Sequence, residues 1–104
     1  MPMLKTLPNV DMTTLAAQTG VKLGETPFFP GANATIEFNI PIGGSGVLTL
    51  QGSPDNTTWT TIRTLNAAQT APLRVELTDL PLYIRTNVTT VGTGTLVPTL
   101  RGVQ

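Results

Sequence analysis

The chain has no cysteine and no histidine. That removes disulfides, thiolate chemistry, Ser-His-Asp triads and ordinary zinc sites from consideration. Charge is scarce too. Charged residues make up 12% of the 104, against roughly 25% in an average soluble protein, and six basic residues balance six acidic ones. A neutral, thinly charged surface does not gather phosphate backbones, so no nucleic-acid partner is expected. It also gives little mutual repulsion, which suits a chain that works inside an assembly. No apolar run approaches the length of a membrane span, so no membrane partner is expected. The opening MPMLKTLPNV has no apolar h-region and does not read as a signal peptide, so synthesis in a cytoplasm is expected.

What is abundant is threonine, 20 residues, with ten glycines and nine prolines. Threonine is β-branched and favours strands, and glycine and proline supply turns. Seven short runs alternate in period two or nearly so: 21–23, 34–40, 47–51, 58–65, 72–78, 82–87 and 96–101. Leu48 and Leu50 point inward, with Thr49 and Gln51 outward. Ile36, Phe38 and Ile40 share one face, with Glu37 and Asn39 on the other. The cleanest alternation is PLRVELT, with Leu73, Val75 and Leu77 in and Arg74 and Glu76 out. Strands of this length with turns every 8–14 residues imply an all-β fold, an antiparallel β-sandwich or jelly-roll-like domain. Pro98 implies an edge position or a bulge for its run. PIGGSG, residues 41–46, reads as a flexible loop.

Residues 1–18 lack sustained alternation and read as an extended N-terminal arm, with the sandwich domain at 19–104. Asp11 is placed to cap a short helical turn after it. Met1, Met3, Leu4, Leu7, Val10 and Met12 are too apolar for a solvated tail, so the arm is expected to dock on another chain. Phe28 and Phe29, between two prolines, cannot easily both be buried locally. One of them is expected to meet a partner.

Leu48–Ile62, LTLQGSPDNTTWTTI, reads as a hairpin. Pro54 suits a type I turn, and Asp55 and Asn56 bond local backbone and tolerate left-handed geometry. Trp59 is expected to close one end of the core, its indole N–H reaching a loop carbonyl. The parities of Trp59 and Ile62 conflict, which calls for a bulge between them or for side chains on opposite faces.

Nothing here assembles a catalytic site, and the chain reads as a non-enzyme. Gly43–Gly46 lacks the spacing of a phosphate loop. Glu37 and Glu76 both point outward, and solvation explains them better than a paired-carboxylate mechanism does. Asp55, Asn56 and Asp79 are too few for a calcium site, and neither a metal nor another cofactor is expected.

Leu50–Ile62 resembles a motif of small β-sandwich domains of phage virion proteins, matched by Gly52, Ser53, Asp55, Trp59 and Ile62. Pro81–Gly102 is similar to the closing hairpin of such domains. Where that family often has Asp-Gly at the turn, this chain has Asp55-Asn56. The resemblance implies a capsid decoration or cement protein. Such a protein is a structural component on the capsid exterior, often a homotrimer, that binds the major capsid protein and stabilises the shell. A tail or fibre-attachment module is an alternative. The same turn and tryptophan occur in carbohydrate-binding sandwiches, which is another. Under the cement reading, the contacts fall to the arm residues named above and to Phe28 and Phe29.

Overall fold

The computed structural model describes residues 4–24, 28–71 and 73–102. Among the described residues ten strands carry the fold: β1 (Leu4–Thr6), β2 (Val10–Asp11), β3 (Val21–Lys22), β4 (Ala34–Glu37), β5 (Val47–Ser53), β6 (Thr60–Leu65), β7 (Arg74–Leu77), β8 (Tyr83–Thr90), β9 (Thr95–Leu96) and β10 (Thr99–Gly102). A single helical turn, α1 (Ala67–Thr70), follows β6. The fold is all-β and every strand pairing is antiparallel.

Two four-stranded sheets, ordered β1-β10-β4-β7 and β3-β8-β5-β6, form the sandwich, and β2-β9 is a small two-stranded sheet. Only β5 and β6 are both neighbours in sequence and partners in a sheet. The other pairings join strands distant along the chain. The molecule measures 35 × 31 × 18 Å. The short axis fits two sheets about 10 Å apart with their side chains.

The core lies between the sheets. Ile36, Leu100 and Val75 come from one, Leu48, Leu50, Ile84 and Val88 from the other, and all are buried. All but Val88 are inward positions of the alternating runs; β8 continues to Thr90, past the end expected at residue 87. Thr49 departs from expectation. It occupies an outward position but is buried, because β5 is a central strand, and its hydroxyl donates to the Asn87 carbonyl at 3.1 Å. Ile40 also departs, being exposed, because β4 ends at Glu37. The Asn39 side chain then ties the chain to the β9 segment, accepting from the Val97 N–H at 2.7 Å and donating to the Thr95 carbonyl at 3.3 Å.

The arm is corrected. Leu7, Val10 and Met12 are 2%, 0% and 0% exposed and belong to the core. β1 lies beside β10 and β2 beside β9, and the Leu7 N–H donates to the Pro98 carbonyl. Residues 16–18 run on along β8, with Gln18 N–H on the Thr86 carbonyl and Val88 N–H on the Ala16 carbonyl. The boundary at residue 18 therefore does not divide the molecule. These strands are two and three residues long and Pro8 separates them, too short to show a period. Asp11 caps a turn rather than a helix: its carboxylate accepts from the backbone and hydroxyl of Thr13 and from the Thr14 hydroxyl. Those bonds, led by the Thr13 hydroxyl, hold its pKa below the usual carboxylate range.

Pro98 sits at the break between β9 and β10, and β10 is an interior strand. The run expected to be an edge strand or to carry a bulge is thus two strands, with the proline at the joint. Residues 41–46 are not a free loop either. Ile42 is buried, and its N–H donates to the hydroxyl of the fully buried Thr70. Thr70 in turn donates to the Asn66 carbonyl at 2.9 Å, pinning α1, whose first turn is capped by the Asn66 side chain on the Ala68 N–H.

Candidate functional site

The hairpin turn of β5–β6 is built on Asp55. Its Oδ1 accepts from the backbone N–H groups of Thr57 and Thr58, at 2.9 and 2.8 Å, and from the Ser53 hydroxyl at 2.9 Å. These bonds, led by Thr58 N–H, lower the Asp55 pKa. Asn56 takes the left-handed conformation, φ 62°, in place of the glycine of the resembled motif. The turn holds its own carboxylate, and among the described residues no three of His, Cys, Asp or Glu gather as metal ligands.

Trp59 is not a core residue. It lies half-buried outside the core cluster, with the Arg85 guanidinium 4.3 Å from its ring centre. Arg85 is itself held by Gln51, Nε donating to Oε1 at 2.7 Å. The far edge of the indole lies against Gly20: a Cβ there would stand 2.8 Å from the ring and 2.3 Å from the Asn56 side chain. The tryptophan thus fastens the turn over residue 20, on the outer face of the β3-β8-β5-β6 sheet.

The parity conflict resolves as a bulge. Leu50 pairs with Arg63 and Gln51 with Thr61, so Ile62 is the extra residue in β6. Its side chain leaves the core and is 39% exposed. It enters a surface groove of about 510 Å³, lined by Pro30, Gly52, Ser53, Pro54, Ile62, Asp79, Leu80, Pro81 and Leu82. Three separate turns make its walls. Gly52 matters at the floor, where a Cβ would stand 2.7 Å from the Pro81 ring. Backbone bonds between Gly31 N–H and the Leu80 carbonyl, and between Leu80 N–H and the Ala32 carbonyl, lock two of the turns together.

Of the residues expected at a partner contact, Leu4 and Phe29 are exposed, at 55% and 47%. Phe28, Leu7, Val10 and Met12 are buried and have no surface to offer, a correction to the expected contact set. Met1 and Met3 lie outside the described residues. Of the phenylalanine pair, Phe28 packs into the core and Phe29 stays exposed.

On the opposite sheet, Glu37 pairs with Arg101 and, at 3.5 Å, with Arg74. Its pKa is lowered, first by the Arg101 hydrogen bond. Glu76 sits across from Thr35, diagonal to Glu37, which faces Arg74. Glu37 is held ionised by its two arginines. The groove was not foreseen from the sequence, because Pro30, Gly52, Ile62 and Pro81 are far apart in the chain and only the fold brings them together.

The chain matches no protein-family model, no curated protein and no solved structure.

Proposed function

We infer that this chain is a non-enzymatic structural virion protein that binds the outside of a phage capsid and bridges major capsid protein subunits. The observation that carries the reading is the preformed apolar groove, with Phe29, exposed, next in sequence to its lining residue Pro30. Rigid apolar surface on a sparsely charged domain suits attachment to another protein, since little ordering entropy is lost on binding. The likeness of Leu50–Ile62 to virion sandwich domains supports the same reading. Bridging adds buried area across subunit boundaries, so a shell under internal pressure must break more contacts to open. Several copies, or a homotrimer, would turn weak individual contacts into firm attachment.

The sugar-binding alternative draws less support. A carbohydrate platform needs an open aromatic face, and Trp59 carries Arg85 on its ring and Gly20 along its edge. A tail or fibre module would share the fold but not the target. The test is pelleting of purified protein with empty heads of the encoding phage that lack this chain. Saturable binding at a fixed copy number per head is expected, with a trimer by light scattering. Binding to tails or glycans but not to heads would refute the reading.

A further inference from the structure

We propose that the groove between Pro30, Pro54, Ile62, Pro81 and Leu82 is a docking site for a partner protein segment carrying an apolar side chain next to a lysine or arginine. Three observations lead there. The walls are apolar and fixed by chain geometry, since three of the lining residues are prolines and two of the turns are joined by backbone hydrogen bonds. Ile62, the extra residue of the β6 bulge, is 39% exposed and lines the groove, where it presents apolar surface.

The third observation is charge. Asp79 is the one ionisable residue of the lining, is exposed, and among the described residues has no ion pair. The nearby acid of the hairpin turn, Asp55, is filled by its own turn. Four cations of the chain are engaged elsewhere: Arg74 and Arg101 with Glu37, Arg85 with Trp59 and Gln51, and Arg63 with the Glu76 carbonyl. Asp79 also adopts the left-handed conformation, φ 56°, which holds its side chain beside Gly31 at the groove wall. A free carboxylate on an apolar groove favours an occupant whose cation lies beside its apolar anchor and disfavours an acidic one.

The proposal rests on the reading of this groove as a protein-binding surface, but its test needs no capsid, so its failure is distinguishable from failure to bind heads. The full chain is titrated with acetyl-Gly-Leu-Lys-Gly-amide, with the Glu-for-Lys peptide and with the Gly-for-Leu peptide, followed by backbone amide NMR shifts. The Leu-Lys peptide is expected to move Gly52, Ile62 and Asp79–Leu82 amides. The Leu-Glu peptide is expected to bind about two- to fivefold more weakly, the range of one exposed ion pair. Asp79→Asn keeps a residue tolerant of the left-handed conformation and should erase that preference. Ile62→Thr suits a threonine-rich strand and should weaken all peptides. Shifts scattered away from the groove, no shifts, or a preference that survives Asp79→Asn would overturn the proposal.

Discussion

Thr86 carries a cost that one substitution removes. It is 1% exposed, across from Leu50 on the inward face of β8, and among the described residues its hydroxyl has no hydrogen-bond partner. A buried hydroxyl without a partner is destabilising by about 1–3 kcal/mol. Thr86→Val keeps the shape and removes the orphan. Urea unfolding is expected to show a gain on the order of 1 kcal/mol with an unchanged slope. Asp55 makes a prediction of another kind. Its pKa is depressed by the Thr58 and Thr57 N–H groups and the Ser53 hydroxyl. The unfolded chain therefore takes up the proton at higher pH than the folded one does. The stabilisation is complete above the ordinary carboxylate pKa, about 4, and is lost as pH falls below it. Asp11 and Glu37 are depressed as well and add to the same acid-side loss. Melting temperatures from pH 7 down to pH 2 should fall on the acid side, with a shallower fall for Asp55→Ala. Gly20 is the third such position. Gly20→Ala would drive a Cβ into the Asn56 side chain and the Trp59 ring, so Trp59 emission should shift and the melting temperature drop.

At the level of elements, the legible parts were the long regular ones. Val75 with Leu77 and Ile84 with Thr86 alternate cleanly because each pair belongs to a strand with one face on the core. The Trp59–Ile62 parity conflict called for a bulge or for opposite faces, and β6 carries a bulge at Ile62. The N-terminal strands gave no such signal. β1 and β2 are three and two residues long with Pro8 between them, so Leu7, Val10 and Met12 looked like scattered apolar residues. The groove was invisible for a different reason, since its walls are three turns that meet only after every strand is paired. Burial of the N-terminal segment has a direct consequence. Truncating one of these buried side chains to alanine costs about 2–5 kcal/mol. Removing all three would use up the stability of a domain this size, about 5–15 kcal/mol. Deleting residues 1–12 should abolish cooperative thermal unfolding, measured by circular dichroism. A truncated chain that melts cooperatively near the full-length temperature would restore the arm.

As a whole, the molecule is a thin antiparallel sandwich whose specialised features face outward. The two edges are drawn together at β6 and β7, where the Arg63 guanidinium donates to the Glu76 carbonyl at 2.7 Å. The turn carrying Asp55 and Trp59 is tied down, and the groove beside it stays open. That division suits a part that must be rigid before it binds. The virion reading makes a thermodynamic demand: a ligand that binds only the closed shell must stabilise that shell. The measurement that tests it most directly is scanning calorimetry of empty heads with and without saturating full-length protein. The account predicts that the head-opening transition moves to higher temperature, and that it moves less with Ile62→Thr. An opening transition that stays in place at saturating protein would contradict it.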